Sequence, residues 1–253
     1  VDPDADRCAL AVPDPTSEMG WSPLSGDQIG SLIGEFLASR GLKGSLANSI
    51  VSSRLLSRIA RAHGLEHHTT LTGFKWIARA PGLGFGYEEA IGFCPDPAHV
   101  RDKDGIATSV VAASLVASLK AQGRSVWDEL ERLARLHGLH VSSPLTFRVD
   151  DIEQISSGMA RLRAQPPTVL AGSPVVEVSD LAQGYRGLPP TDGVLVLTEA
   201  GDRVIARPSG TEPKLKCYLE VILPVADGEP LPWEQARERL DAIKGAFAEI
   251  IGL

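Results

Sequence analysis

The hydrophobic pattern changes character part-way along this chain, and the change limits which folds the chain can adopt. Up to about residue 145, helix-period segments alternate with short strand-like runs, the pattern of helices layered on a sheet. Ser25 reads as a helix N-cap with Gln28 as its reciprocal partner, and Ile29, Leu32, Ile33, Phe36 and Leu37 follow at helical spacing. Residues 49–51 read as a strand, and 54–63 as a helix closed by Gly64. A short apolar stretch at 71–77 precedes the glycine-rich segment PGLGFGYEEAIGF. Ile106, Val110, Val111, Leu115 and Leu119 predict an amphipathic helix over 106–121, and Ser125 and Gly138 bracket another over 126–137. From about 146 the texture is different. A helix over 151–164 ends before Pro166 and Pro167, β-rich runs follow at 175–178, 193–197, 203–207 and 215–223, and a helix over 234–251 closes the chain. Gly201–Asp202 separates two of these runs and suits a hairpin reversal. This second part reads as a small α+β domain.

At 253 residues the chain exceeds a usual single core, which predicts more than one domain. The expected division is 1–44, 45–145 and 146–253, with 45–253 able to fold without the N-terminal stub. No run of about eighteen apolar residues is present, so no membrane span is expected, and VDPDADR does not read as a signal peptide. A net charge of −7 argues against a nucleic-acid partner. Cys8, Cys94 and Cys217 are far apart and odd in number, which fits reduced thiols and a cytoplasmic location.

Asp2, Asp4 and Asp6 alternate at the start of the chain, followed by Arg7. Carboxylates so close repel one another, and a hard divalent cation with oxygen ligands relieves that repulsion. Magnesium fits three protein oxygens that leave room for water and a substrate oxygen. A calcium EF-hand loop does not fit, because Arg7 stands where its glycine belongs and Pro13 where its glutamate belongs. A charged surface turn is the competing reading. No strand precedes the loop to hold it, so missing sequence upstream is expected.

Near the other end, ARPSGTEPK lies between two β-like runs. Gly210 can let successive backbone N–H groups converge on an anion, Ser209 and Thr211 add hydroxyl donors, and Arg207 can pair with phosphate bidentately. The segment is not a Walker loop, and by composition alone a polar turn remains open. His63, His67, His68 and His99 lack the spacing of a zinc motif.

RPSGTEPK, read with DPDADR, resembles the α-D-phosphohexomutase family of phosphoglucomutases and phosphomannomutases. GYEEAIG at 86–92 is similar to that family's sugar-binding loop, and TLTGFKW at 70–76 and RDKDG at 101–105 resemble further family stretches. The wording is closest to the branch that includes phosphopentomutases. The resemblance implies an architecture of four domains lining one cleft: a catalytic phosphoserine, the metal loop, the sugar loop and the phosphate clamp. On that pattern the chain is the C-terminal portion. It comprises a partial domain 2, an α/β domain 3 and a TBP-like α+β domain 4.

By the same resemblance, Asp2, Asp4 and Asp6 would hold Mg2+ and Arg7 would orient the phosphoryl group. Lys103 would sit at the transferring group, stabilising charge or moving a proton. Glu88 would accept hydrogen bonds from sugar hydroxyls. Arg207, Ser209, Gly210 and Thr211 would grip the phosphate at the non-reacting end, with Lys75 as a further candidate there. Ala90 stands where several relatives have a serine, which removes one hydroxyl contact to sugar. The family's phosphoserine motif has no counterpart here. The implied activity is therefore phosphosugar mutation in the intact parent, through a sugar bisphosphate, in a phosphoprotein enzyme. This chain alone is expected not to turn over. The alternative is a stand-alone module that binds phosphosugar and metal without catalysis.

Overall fold

A computed structural model of the chain describes residues 1–209 and 212–252. Two compact units are formed, Val1–His137 and Gly138–Leu253.

The first unit opens with a hairpin of β1 (Ala11–Pro13) and β2 (Trp21–Pro23), pinned by the Trp127 indole N–H on the Pro13 carbonyl at 2.9 Å. Helix α1 (Gly26–Ser39) starts with the expected capping box: the Gln28 N–H donates to Ser25 Oγ, and the Ser25 N–H to Gln28 Oε1. Next come β3 (Ser45–Ser49), α2 (Leu55–Ala62), β4 (His67–Thr70), α3 (Phe74–Ile77), β5 (Leu83–Glu88) and β6 (Gly92–Cys94), followed by α4 (Gly105–Ala121) and α5 (Val126–His137). The sheet order is β4-β3-β5-β6, with β3 parallel to β4 and β5, and β6 antiparallel to β5. Successive side chains on β3 point to opposite faces, and the core divides accordingly. Leu46 joins Ile29, Leu32, Leu56, Ile59, Phe85, Tyr87, Phe93, Leu115 and Leu133, whereas Ala47 joins Phe74, Ile77, Leu83 and Cys94. Helices therefore cover both faces of the sheet.

Three expectations are corrected here. The strand expected at 49–51 lies at Ser45–Ser49, because β3 must run beside β5 to bury Leu46 and Ala47. Within α4 the buried side is Thr108, Ala112, Leu115 and Leu119, while Ile106 and Val110 are 65% and 63% exposed. The boundary expected at residue 44 falls inside the first unit, Val1–His137. Ile29, Leu32 and Ile33 of α1 are buried, and they belong to the same cluster as Leu56 and Phe85.

The second unit begins with β7 (Leu139–Arg148), which runs through the position expected to divide domains. It continues with α6 (Ile152–Ala164), β8 (Val169–Leu170), β9 (Ser173–Asp180), β10 (Val194–Thr198), β11 (Arg203–Pro208), β12 (Lys214–Leu223) and α7 (Trp233–Ile251). The antiparallel sheet has the order β7-β12-β11-β10-β9-β8. Helix α7 packs on β12 and on α6, burying Leu240, Ile243, Phe247 and Ile251. The turn at Gly201–Asp202 joins β10 to β11 as the sequence predicts. All three cysteines are free and buried, and burial pushes the Cys94 and Cys217 thiols up to about 12. Among the described residues, no single helix is long and apolar enough to cross a membrane.

Candidate functional site

The acidic loop is held in the first unit by backbone contacts on two sides. Arg7 bridges to Gly92, the Cys8 N–H donates to the Ile91 carbonyl at 3.1 Å, and the Gly105 N–H donates to the Ala5 carbonyl at 3.1 Å. The loop thus sits on the turn between β5 and β6 and on the start of α4. Inside it, the Ala5 N–H bonds back to the Asp2 carbonyl, and Ala5 takes a positive φ of 62°. That reversal brings carboxylate oxygens of Asp2, Asp4 and Asp6 within 4.8 Å of one another.

Cations already face this cluster. The Arg7 N–H donates to Asp2 Oδ1 at 3.0 Å and its Nε to Asp2 Oδ2 at 2.7 Å, with Asp6 Oδ1 3.4 Å from the same Nε. The Arg7 backbone N–H, aided by its guanidinium and opposed by some burial, holds the Asp2 carboxyl below the usual carboxylate range. Lys103 Nζ reaches Asp6 Oδ2 at 3.0 Å and lies 5.4 Å above the Phe74 ring. Partial burial works against this ammonium, but the Asp6 hydrogen bond and the charges of Asp102, Asp6 and Glu88 raise its pKa.

Glu88 ends β5 and turns toward the same place. Gly92 leaves room for this: a Cβ there would stand 2.5 Å from Lys103 Cδ and 3.0 Å from Glu88 Oε1, so a side chain at 92 would push both aside. Burial pushes the Glu88 carboxyl up, and the neighbouring Glu89 charge adds to this against Lys103. Asp6, Lys103 and Glu88, from three separate motifs, are therefore gathered around Gly92. Lys75 is not gathered with them. It is exposed on α3 with its Nζ 5.8 Å from the Trp76 ring, and it forms no ion pair among the described residues.

In the second unit, Arg207 sits near the end of β11 directly opposite Lys216 of β12. Directly opposed residues share a sheet face, and like charges so placed are destabilising unless an anion lies between them. Lys214 stands opposite Arg148 of β7. Glu212 is the one described carboxylate paired here, 2.6 Å from Lys214 and 3.9 Å from Arg148, and the Lys214 hydrogen bond lowers its pKa. The Ser209 N–H donates to the Lys214 carbonyl, closing the base of the loop. Gly210 and Thr211, both expected in the clamp, lie outside the described residues. Lys216 was missed in the sequence, although the alternation in KLKCY separates Lys214 and Lys216 from Leu215 and Cys217.

The description "Phosphoglucomutase/phosphomannomutase, alpha/beta/alpha domain III" matches residues 25–136, and the C-terminal domain of the same family matches 160–227. The chain belongs to the phosphoglucomutase/phosphomannomutase family. A probable phosphomannomutase of Haemophilus influenzae is 43% identical over 221 residues, covering 87% of this chain and 44% of that protein. The mouse phosphopentomutase is 31% identical, covering 98% of this chain and 44% of its own length. The chain spans less than half the length of these relatives. In fold it is similar to parafusin, a phosphoglucomutase of Paramecium, with a TM-score of 0.70 at 19% identity over 100% of this chain and 45% of that one.

Proposed function

We propose that this chain is the sugar- and phosphate-binding portion of a phosphosugar mutase acting on hexose or pentose phosphates. The observation that supports this best is the gathering of Asp6, Lys103 and Glu88 around Gly92, because one small patch then offers a cation cradle, an ammonium and a hydroxyl acceptor. Glu88 accepts hydrogen bonds from sugar hydroxyls. Lys103 and Arg7 stabilise charge on a transferring phosphoryl group. Arg207 and Ser209, joined by Lys216, grip the phosphate that does not react.

The acidic loop fits a hard divalent ion. Three carboxylates converge, and Asp6 Oδ1 is buried without a hydrogen bond. Asp2, Asp4 and Asp6 would hold Mg2+, which when bound would neutralise charge on a phosphoryl oxygen. A serine able to carry a phosphoryl group in the family's motif is not in this sequence, so the chain by itself binds rather than turns over.

Calorimetric titration with glucose 6-phosphate, mannose 6-phosphate and ribose 5-phosphate tests this reading. Binding that falls in Glu88→Ala and in Arg207→Ala is expected. Binding untouched by either substitution would overturn it.

A further inference from the structure

Glu88 is the last residue of β5, at the tight turn into β6, and something must fix its direction. Its two neighbours in sequence do so from opposite flanks. On one side the Tyr87 hydroxyl donates to Asp27 Oδ1 at 3.0 Å, and the same oxygen accepts the Ser53 N–H at 2.7 Å. On the other side Glu89 turns inward. Its Oε2 accepts hydrogen bonds from Ser49 Oγ at 3.1 Å and Ser52 Oγ at 3.0 Å, and its own N–H donates to Ser52 Oγ at 3.1 Å. Ser49 and Ser52 are 2% and 1% exposed, and their hydroxyl oxygens are 2.8 Å apart. The Glu89 carbonyl also presses on the start of α1: a Cβ at Gly26 would be 2.1 Å from that oxygen, so the turn and the helix are in close contact.

The arrangement is more than a surface turn needs. It buries two serine hydroxyls and aims them at a carboxylate that could otherwise be solvated, and it sets two glutamates side by side. What is gained is a fixed backbone at Glu88. Ile91, two residues beyond Glu89, is held at a positive φ of 59°, and the Ile91 carbonyl receives the Cys8 N–H from the acidic loop. A turn free to relax would release that strain and misdirect Glu88.

We propose that Glu89 is a positioning residue for sugar recognition, seating the turn on Ser49 and Ser52 so that Glu88 presents its carboxylate to a sugar hydroxyl. This rests on the reading of Glu88 given above. Glu89 itself does not touch the sugar, so its effect must pass through Glu88 and be confined to ligands that carry hydroxyls.

The test is a double-mutant cycle read by calorimetry with two probes, glucose 6-phosphate and inorganic phosphate, on the full chain. Glu89→Gln is expected to weaken glucose 6-phosphate by about tenfold, leave inorganic phosphate unchanged, and add nothing in a Glu88→Ala background. The Ser49→Ala/Ser52→Ala variant should reproduce the same selective loss, and serves where Glu89→Gln does not fold. Equal weakening of both probes, or a Glu89→Gln loss undiminished by Glu88→Ala, would overturn the assignment and leave Glu89 a purely structural residue. If Glu88→Ala itself left glucose 6-phosphate binding intact, the reading of Glu88 would fail first.

Discussion

Arg239 on α7 grips the fully buried carboxylate of Asp202 with two hydrogen bonds of 2.7 Å, Nε to Oδ1 and Nη2 to Oδ2. Asp202 also accepts from the Thr198 hydroxyl at 3.0 Å, so the reversal between β10 and β11 is tied to the last helix of the unit. Removing one partner of such a pair leaves an uncompensated buried charge, worth about 3–5 kcal/mol where burial is complete. Arg239 is partly exposed, which discounts the figure. Arg239→Ala is expected to destabilise the second unit by roughly 2–4 kcal/mol in urea denaturation. Asp202→Asn in the same background should recover part of the loss by removing the orphaned charge. A change below about 0.5 kcal/mol, the usual range of ordinary surface substitutions, would show that the pair does not hold the helix.

Glu88 carries a predictable pH signature. Its carboxyl is pushed up mainly by burial, so the folded protein binds this proton more tightly than the unfolded chain does. Stability from this group is therefore present below the ordinary carboxylate pKa and is lost as pH rises from there through the raised folded value. At neutral pH the charged Glu88 is a standing cost. Glu88→Gln should raise the melting temperature at pH 7, and the gain should vanish near pH 4. The same substitution should weaken sugar phosphate binding at pH 7. A variant less stable than wild type at pH 7 would mean that the carboxylate is stabilised by its neighbours rather than held against them.

The helix caps and the site motifs were legible in the sequence for local reasons. Ser25 and Gln28 cap α1 through contacts three residues apart, and the carboxylates of the acidic loop lie close together in sequence. Strand β7 was not legible, because Ser142, Ser143 and Pro144 interrupt its apolar pattern. As an edge strand it pairs only with β12, and an edge tolerates proline. The buried side of α4 was misread because that helix is apolar nearly all round. Thr108 can be buried there, since its hydroxyl bonds to the Asp104 carbonyl at 2.6 Å. The meeting of Asp6 with Lys103 was equally hidden. It joins residues far apart in sequence, brought together where the acidic loop meets the turn between β5 and β6.

Magnesium must compete with side chains already in place. Arg7 and Lys103 occupy oxygens of Asp2 and Asp6, and a divalent ion gains those carboxylates only by displacing them. Affinity of millimolar order, about 4 kcal/mol, is expected by calorimetry at neutral pH. Lys103→Ala should tighten it severalfold by removing a competitor, and Asp6→Asn should abolish it. A micromolar dissociation constant for wild type would mean that these ion pairs offer no competition.

The clamp on the second unit should act independently of the acidic loop, because its residues lie on β11, β12 and the connection between them. Arg207 faces Lys216 across the strand pair, and among the described residues Arg207 has no carboxylate within ion-pair distance. A phosphate dianion there would relieve the repulsion and gain charge-assisted hydrogen bonds. Arg207→Ala is therefore expected to cost roughly 1.5–3 kcal/mol of glucose 6-phosphate affinity. Lys216→Ala should cost less, because an ammonium offers a point charge and no planar fork. Asp4→Ala should scarcely change this binding, since Asp4 lies in the acidic loop of the first unit. Raising the salt concentration should weaken wild type more than Arg207→Ala, in proportion to the charge lost. If Asp4→Ala abolished binding while Arg207→Ala left it intact, the assignment of phosphate binding to the second unit would be overturned.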